Sequence, residues 1–307
     1  MNIELGYACL NTELRGFQSY TLSSLYHPVE VIRPRIIHNF TQTLEILRYN
    51  AHHNIKLYRL TSDPVPLASH YGYNEWQERT GWYWWEDKEL LGYLEEIKRF
   101  SKEHGMRLTF HPGQYNVLNS PYPEIVNNTI RNLYVHWWLL DKIGGEGLVI
   151  HVGGVYGNKK KSMNRWMNVY NSLPEEMKSV IMLENDDKSY TVEDVLGISR
   201  LTGVTPILDV HHHKCNPSPN LINNTKEIVD IWTNKGKEVK IHVSSGLMSD
   251  RDRRHADFVT VKDYERAIEL FEKVGYDNTL WIMLECKMKE KALHNLRGGG
   301  RSSSRPF

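Results

Sequence analysis

The feature that most constrains the fold of this chain is a regular alternation of short β-rich runs with longer stretches of helical period. Thr191 before Glu193 and Asp194 is a plausible N-cap for one of the helical stretches. The predicted helices lie near residues 35–53, 86–104, 124–143, 162–173, 191–202, 222–235 and 260–273. The predicted strands are eight: Ile3–Cys9, Lys56–Leu60, Arg107–His111, Gly147–Val152, Val180–Glu184, Pro206–Val210, Val239–Val243 and Leu280–Glu285. This alternation predicts an α/β protein with a single (β/α)8 TIM barrel.

A doubly wound open sheet is the alternative architecture. It requires a glycine-rich phosphate-binding turn after the first strand, and Gly6-Tyr7-Ala8-Cys9 is not such a turn. No internal repeat or linker divides the chain, so we expect one barrel domain over residues 1–288. Residues 289–307 are charged and then rich in Gly and Ser. They are expected to be a disordered tail or a remnant of cloning.

Charge and composition limit the class of partner. The chain has 38 Lys and Arg against 37 Asp and Glu, so any nucleic-acid site must come from local basic patches. No apolar run is long enough for a membrane span, and the N-terminus lacks the pattern of a signal peptide. Three cysteines without a CxxC spacing favour neither a disulfide framework nor a thiolate zinc site. These observations predict a cytoplasmic protein with no membrane partner.

Imidazole and carboxylate side chains end six consecutive predicted strands. A lone residue of this kind is usually a hydrogen-bonded structural group, but strand ends of a TIM barrel meet at one face. Crowded there, such groups need compensation by cations, and mixed His and carboxylate ligands suit zinc, manganese or iron. The strand-end groups are His111, His151, Glu184, Asp209 with His211-His212-His213, His242 and Glu285. They predict a multinuclear metal site.

The ligand types also indicate a reaction class. Glu184, on a middle strand, is suited to bridge two ions, and two or three ions are the usual arrangement for phosphodiester hydrolysis. Sugar isomerases on the same fold use metals held mostly by carboxylates, whereas this chain has 15 histidines. The composition therefore favours phosphate hydrolysis over a sugar isomerase or epimerase. A metal-stabilised barrel that only binds a ligand is a third hypothesis.

Two loops suggest a nucleic-acid substrate. Gln114 and Tyr115 follow His111-Pro112-Gly113, where Gln can hydrogen-bond base edges and Tyr can stack on bases or wedge between them. The structural alternative is that Tyr115 packs on the barrel rim. Lys159 and Lys160, in a lysine triplet after the fourth strand, could bind phosphates or simply form a solvated helix start.

Several short motifs, taken in order, resemble those of the UV damage endonucleases, relatives of the endonuclease IV enzymes. The resemblance covers residues 3–288, and each motif is short while the ordered set is specific. The motifs are Leu5-Gly6-Tyr7-Ala8-Cys9, Pro66-Leu67-Ala68-Ser69-His70, His111-Pro112-Gly113-Gln114-Tyr115, His151-Val152-Gly153-Gly154-Val155-Tyr156-Gly157, Leu183-Glu184-Asn185-Asp186, Asp209 to His213 with Asn216-Pro217, Lys240-Ile241-His242, His255-Ala256-Asp257 and Leu284-Glu285.

This resemblance implies a DNA repair endonuclease on a TIM barrel. It implies that UV-damaged duplex DNA is nicked immediately 5′ to a photoproduct, a cyclobutane pyrimidine dimer or a 6-4 photoproduct, and that excision repair follows. It also implies three divalent ions, commonly Mn²⁺, with Zn²⁺, Mg²⁺ or Co²⁺ as alternatives. The implied ligands are His111, His151 and Glu184 for the first ion; Glu184, Asp209, His242 and Glu285 for the second; and His212 and His255 for the third.

Other roles follow from the same resemblance. Gln114 and Tyr115 are expected to probe the damaged dinucleotide, while Tyr7 and Asn11 line the lesion pocket. Glu184, His242, Lys240 and His70 form the expected catalytic set, with His70 near the metals. A barrel mouth that admits duplex DNA suits a monomer.

Three features leave alternatives open. His212 is preferred among the three consecutive histidines only for its place three residues after Asp209. Lys240 should share a strand face with His242, so it is either a phosphate contact or a carbamylated metal ligand. A Trp-rich insertion over residues 76–85 departs from the family pattern and is either an apolar cover for neighbouring helices or a DNA contact.

Overall fold

The strands of this chain close into a parallel barrel in the order of the sequence. The computed structural model describes residues 1–298. Its strands are β1 (Asn2–Ala8), β2 (Leu57–Arg59), β3 (Arg107–Phe110), β4 (Gly147–His151), β5 (Ile181–Glu184), β6 (Thr205–Asp209), β7 (Lys240–Val243) and β8 (Thr279–Leu284), in a closed barrel β1 to β8. The predicted TIM barrel is therefore confirmed, and the open doubly wound sheet is excluded.

Eleven α-helices accompany the strands in the described part of the chain. Seven of them correspond to the predicted helices, and α2, α6, α8 and α11 were not predicted. The helices are α1 (Val29–His52), α2 (Tyr71–Thr80), α3 (Lys88–Glu103), α4 (Pro123–Ile143), α5 (Lys159–Asn171), α6 (Glu175–Lys178), α7 (Val192–Thr202), α8 (Val210–Cys215), α9 (Leu221–Asn234), α10 (Val261–Lys273) and α11 (Lys289–Arg297). Short 3₁₀ turns occupy Leu22–Tyr26 and Trp84–Glu86.

Packing groups the described chain into two compact units. One unit spans Cys9–Ile181 and contains β2, β3 and β4. The other combines Met1–Ala8 with the described residues from 182 to 298, and contains β1, β6, β7 and β8. Within this second unit β1 pairs in parallel with β8, so the first and last strands of the sequence are neighbours. The same unit carries most of the strand ends that the sequence marks as candidate ligands.

Local sequence explains where several helices begin. The Thr191 hydroxyl accepts a bond from the Asp194 backbone N–H, and the Asp194 carboxylate accepts one from the Thr191 N–H at 2.7 Å. This reciprocal capping box confirms the predicted start of α7. Thr260 caps α10 in the same way, through a bond from the Asp263 N–H.

The C-terminal boundary differs from the prediction. Residues 289–297 form α11, which buries Glu290, Ala292 and Leu293 and packs against β1 and β8. The assignment of this stretch to a disordered tail is therefore wrong, because its charged composition conceals a short apolar face. Residues 299–307, which hold the rest of the predicted tail, lie outside the described residues.

The Trp-rich segment covers part of the helical layer. Trp76 and Trp84 are buried, and the Trp76 indole N–H donates to the His27 carbonyl at 2.9 Å. The Trp84 ring meets the ring of Trp138 on α4 edge to face, with centroids 5.0 Å apart. For these two tryptophans the prediction of an apolar cover is confirmed.

Asp87 joins this segment to α3 and gives a first testable prediction. Its carboxylate caps α3 by accepting from the Glu89 and Leu90 N–H groups, and it also accepts from Arg33 and from the Trp82 indole. Asp87→Ala should lower the free energy of unfolding by about 1–2 kcal/mol at pH 7, as expected for a lost N-cap. Denaturant unfolding followed by circular dichroism measures this loss.

The destabilisation caused by Asp87→Ala should decrease as the pH falls. Hydrogen bonds from Arg33 lower the pKa of Asp87 to about 2. The stabilisation by the ionised carboxylate is therefore complete above the ordinary value near 3.8 and is lost as pH falls towards 2. Asp230→Ala, which removes an exposed carboxylate on α9, is the matched control and should change stability little. If Asp87→Ala lowered the free energy of unfolding as much at pH 2 as at pH 7, the ionised carboxylate would not be the source of the stabilisation.

Within residues 1–298, no helix is both long enough and apolar enough to cross a membrane.

Candidate metal centre

Four acidic and imidazole side chains converge at the carboxyl ends of β5 to β8. Glu184 ends β5, Asp209 ends β6, His242 lies in β7 and Glu285 directly follows β8. Parallel pairing sets Asp209 opposite His242. Each of the four offers one ligand atom, and these atoms all lie within 4.8 Å of one another. The structure therefore brings together the complete predicted ligand set of the second ion.

His242 lies between the two glutamates of this group. Its Nδ1 is 2.7 Å from Oε1 of Glu184 and 3.0 Å from Oε1 of Glu285. Glu184 is 0% exposed and His242 is buried. Burial alone would lower the pKa of His242, but the two carboxylates outweigh it and raise the pKa to about 10. In the metal-free protein this imidazole is a cation held between two anions.

Asp209 shows that the group suits a cation. Its Oδ1 accepts a bond of 2.6 Å from the His212 backbone N–H, which caps α8. Its Oδ2 is buried and has no hydrogen-bond partner among the described residues. Burial raises the pKa of Asp209, because an ionised carboxylate is costly in the interior. A divalent ion would supply the missing partner, so the donor set fits a metal.

Asn185 is a structural residue of the site that the sequence did not single out. Its side chain bonds both backbone groups of Asp209, with Nδ2 to the carbonyl at 3.0 Å and Oδ1 to the N–H at 2.9 Å. Its own carbonyl accepts from Nδ1 of His212 at 3.0 Å. That bond makes Nε2 the nitrogen of His212 that can ligate, as second-shell carbonyls commonly do. The position of Asn185 directly after Glu184 was the sequence signal that could have identified it as part of the site.

His111 directly follows β3, and His151 ends β4. The His111 and His151 rings lie 5.1 Å apart between centroids. Nδ1 of His111 donates to the Pro112 carbonyl at 3.1 Å, which makes Nε2 its nitrogen that can ligate. Two of the three predicted ligands of the first ion are thus brought together.

The two histidines assigned to a third ion are close to this centre but less tightly grouped. The His212 and His255 rings lie 6.0 Å apart, and Nδ1 of His255 is 3.8 Å from Oε2 of Glu285. Among the described residues, the groups of three or more candidate ligands include neither. The choice of His212 is favoured because Nε2 of His211 donates to the Asp252 carbonyl at 2.9 Å.

A buried hydrogen-bond network supports the elements that carry these two histidines. Lys214 on α8 contacts Asp263 at 2.8 Å, and the Ser245 hydroxyl donates to the other Asp263 oxygen at 2.5 Å. Lys214 follows His212 by two residues, and Ser245 begins the loop that reaches His255. Asp263 therefore links α8, the end of β7 and α10.

The predicted probing residues are accessible. Tyr115 is 83% exposed, and Gln114 is also exposed. The loop turns where the Asn116 N–H and side-chain amide both donate to the Gly113 carbonyl at 3.0 Å. The alternative that Tyr115 packs on the barrel rim is therefore wrong.

Tyr7 and Asn11 do not present a surface to a lesion in this structure. Tyr7 is 0% exposed within β1, and Asn11 is buried with its Oδ1 accepting from the Glu13 N–H. The prediction that they line an open lesion pocket is not met by this conformation. A residue near a strand end can point either into the interior or towards an open surface. The sequence motif alone does not distinguish these two orientations.

The remaining predicted residues occupy varied surroundings. His70 is exposed and caps α2, because its Nδ1 accepts from the Gly72 N–H at 3.0 Å. It belongs to neither candidate ligand group in the described chain. Lys240 is 5% exposed, with Nζ 6.0 Å from the centre of the Trp232 ring. Lys159 and exposed Lys160 open α5, whose first turn contains no acidic residue.

Proton release gives a test of the metal centre that does not depend on catalysis. Burial lowers the pKa of His212, but Asp209 and the two glutamates outweigh it and raise the pKa to about 9. Because His242 and His212 are protonated in the metal-free protein at pH 7.5, ligation must displace protons. We expect Mn²⁺ binding to release at least one proton, and the apparent affinity to rise as pH rises towards 9. Calorimetric titration in buffers of different ionisation enthalpy counts the protons.

His213 provides the matched control for this titration. Burial lowers the pKa of His213, so its ring is neutral at pH 7.5 and has no proton to lose. His213→Gln should leave the proton count unchanged, whereas His242→Gln should reduce it. Binding of Mn²⁺ with no proton release at pH 7.5 would count against the ligand assignment.

Fold and site together define a TIM-barrel protein with a candidate multi-metal centre at the carboxyl ends of its strands. Comparison with known proteins identifies the family. Residues 3–299 match the family described as UV-endonuclease UvdE. The chain belongs to this family, which confirms the resemblance drawn from the motifs.

Individual relatives agree with this assignment. The UV DNA damage endonuclease of Bacillus cereus strain B4264 is 33% identical over 283 residues, which cover 89% of this chain and 81% of that protein. The crystal structure of SacUVDE matches with a TM-score of 0.83 and 30% identity, over 98% of this chain and 100% of that one. A 3-keto-D-glucoside 4-epimerase, YcjR from E. coli, matches with a TM-score of 0.56 and 14% identity, over 98% of this chain and 99% of that one. This last likeness shows the fold alone.

Membership of this family supports a nuclease that acts on UV-damaged DNA. The buried cluster of His, Glu and Asp is consistent with the use of metal ions.

Proposed function

We propose that this protein nicks duplex DNA immediately 5′ to UV photoproducts by multi-metal phosphodiester hydrolysis. The proposed substrates are cyclobutane pyrimidine dimers and 6-4 photoproducts, and the proposed products carry 3′-hydroxyl and 5′-phosphate ends from which excision repair starts. The observation that carries the proposal is the buried group of Glu184, Asp209, His242 and Glu285 in a member of this family.

The proposed cofactors are three divalent ions, with Mn²⁺ as the preferred ion and Zn²⁺, Mg²⁺ or Co²⁺ as alternatives. When bound, such ions activate water and neutralise charge on the phosphate. The proposed ligands are His111, His151 and Glu184 for the first ion, Glu184, Asp209, His242 and Glu285 for the second, and His212 with His255 for the third.

The protein's own groups prepare this centre. Glu184 has two carboxylate oxygens, which we propose to bridge the first and second ions. Asn185 holds the end of β5 against the end of β6, which fixes the separation of Glu184 and Asp209. His242 must give up its proton to Glu184, Glu285 or solvent before its Nδ1 can ligate.

Two further residues have proposed roles in catalysis. Lys240 is proposed either as a contact to the phosphate or as a carbamylated ligand, and His70 as an auxiliary catalytic residue.

Substrate recognition is proposed to depend on the exposed loop after β3. Gln114 and Tyr115 enter the gap at the lesion, and a poorly paired dinucleotide is cheaper to extrude than normal bases. Lys159 and Lys160 at the start of α5 contact phosphates of the same duplex. We propose a monomer as the active form, with the cytoplasm as its location.

The experiment is a nicking assay on an end-labelled duplex that carries one cyclobutane dimer, with Mn²⁺ added and then chelated. The expected result is a single Mn²⁺-dependent cut just 5′ to the dimer. Cutting only at abasic sites would contradict the proposal and indicate an apurinic endonuclease. Bound metal without cutting of either duplex would favour the sugar isomerase or epimerase, or a barrel that only binds.

A further inference from the structure

An aromatic cleft outside the candidate metal centre has no part in the function proposed above. We define the aromatic cleft by Trp84, Trp85, Arg131, Tyr134, Val135 and Trp138, which line a cavity of about 420 Å³. Arg131, Tyr134, Val135 and Trp138 are spaced i, i+3, i+4 and i+7 on α4, so they form one stripe of that helix. The opposite wall comes from the Trp-rich segment that departs from the family motifs.

The cleft has the size and composition of a ligand site rather than of a packing defect. A volume of 420 Å³ falls in the range of about 300–1,000 Å³ typical of small-ligand pockets. Tyr134 is 49% exposed, so its ring is accessible to a ligand. The rigid floor is the edge-to-face pair of Trp84 and Trp138.

The charges around the cleft favour an anionic, planar ligand. None of the described residues that line it is Asp or Glu, and Arg131 supplies a cation at one end. Arg131 and Trp138 are separated by about 10 Å along the helix axis. Aromatic faces beside a cation are the recurring design of sites for unpaired nucleotides.

The position of the cleft connects it to the probing loop. A second cavity, also of about 420 Å³, contains Gly113 and Asn116 of that loop and shares Ser69 and Arg131 with the aromatic cleft. The shared wall is fixed because Asn132 donates to the Ser69 hydroxyl at 3.0 Å. The two cavities therefore adjoin at Ser69 and Arg131, so a strand that leaves the duplex at the loop is close to the aromatic rings.

We propose that the aromatic cleft binds one or two unpaired nucleotides of single-stranded DNA, with bases stacked on Trp85 and Tyr134 and a phosphate on Arg131. The inference rests on the proposed function only in that DNA is the ligand. It assigns a role to the Trp-rich segment that is separate from strand cleavage.

The test measures binding of a fluorescein-labelled oligothymidylate to the full protein in EDTA, by fluorescence anisotropy. Tyr134→Ala and Trp85→Ala should each weaken binding by roughly 5- to 100-fold, as expected for one lost stacking contact. Arg131→Gln should also reduce the slope of log K against log salt by about 0.7, the value for one phosphate on a single strand. Tyr134→Ala should leave this slope unchanged.

Two matched controls distinguish the cleft from general surface effects. Arg99→Gln removes another arginine from an exposed helix face and should leave the salt slope unaltered. Leu201→Ala removes an exposed apolar side chain on α7 and should leave the affinity unaltered. Equal binding by the wild type, Tyr134→Ala and Arg131→Gln overturns the proposal.

Three further outcomes distinguish this proposal from a dimer interface and from the proposed nicking activity. Concentration-dependent dimerisation that Tyr134→Ala abolishes, without a change in DNA binding, would assign the cleft to a second copy of the chain and overturn the proposal. Loss of oligothymidylate binding in the variants supports nucleotide binding by the aromatic cleft, even if the wild type fails to nick dimer-containing DNA. Normal nicking with unchanged oligothymidylate binding refutes this inference alone.

Discussion

Glu184→Gln is expected to reduce the rate of nicking at a cyclobutane dimer by on the order of 1,000-fold or more. The substitution preserves the volume of a fully buried side chain and removes the negative charge that we propose to bridge two ions. A neutral amide bridges two cations poorly, so metal content should fall with activity. Single-turnover cleavage and elemental analysis of the same preparation measure the two effects.

Binding of damaged DNA should survive this substitution. Gln114 and Tyr115 are exposed whereas Glu184 is fully buried, so the dissociation constant in EDTA should change by less than about threefold. Glu193→Gln, which alters a solvent-exposed glutamate paired with Arg200 on α7, is the matched control and should retain full activity. Substantial nicking by Glu184→Gln would show that Glu184 does not bridge two catalytic ions.

Tyr115→Ala is expected to reduce the preference for damaged over intact duplex by about tenfold to a hundredfold. The ring is 83% exposed and its removal leaves no buried cavity, so stability should hardly change. Stacking of one aromatic ring on a base contributes roughly 1–3 kcal/mol, which sets the size of the effect. The measurement is the ratio of dissociation constants for dimer-containing and undamaged duplexes.

Two variants make this prediction specific. Tyr26 is 84% exposed, so Tyr26→Ala removes an equally accessible ring from a different part of the chain and should leave the ratio unchanged. Tyr115→Phe keeps the ring and should keep most of the discrimination, because stacking does not need the hydroxyl. A ratio unaffected by Tyr115→Ala would assign lesion recognition to other residues.

Strand identity was predictable to within a few residues because parallel barrel strands are short, apolar and separated by amphipathic helices. The strand-end histidines and carboxylates were predictable for the same reason, since carboxyl ends of barrel strands share one face. Helices α2 and α8 were missed, because α2 lies within an aromatic insertion and α8 is a six-residue turn built on three histidines. Helix α11 was missed because its apolar face is only a few residues wide.

Side-chain environment was much less predictable than position. Tyr7 and Tyr115 are both tyrosines in motifs at strand ends or loops, yet one is fully buried and the other almost fully exposed. Asn185 resembled a loop residue, but its side chain makes two backbone bonds to the next strand. Such contacts join residues far apart in sequence, and local patterns contain no information on them.

The sequence by itself determined the barrel, the order of its strands and the residue types at their carboxyl ends, because hydrophobic period and strand-end chemistry are local properties of the chain. The tertiary structure decided which of these residues share one centre, which ring nitrogen each histidine can offer, and that Asp209 retains a buried oxygen without a hydrogen-bond partner. It also decided that the tryptophans form a cleft with α4. These outcomes depend on distances between separate elements, which packing sets and sequence spacing does not.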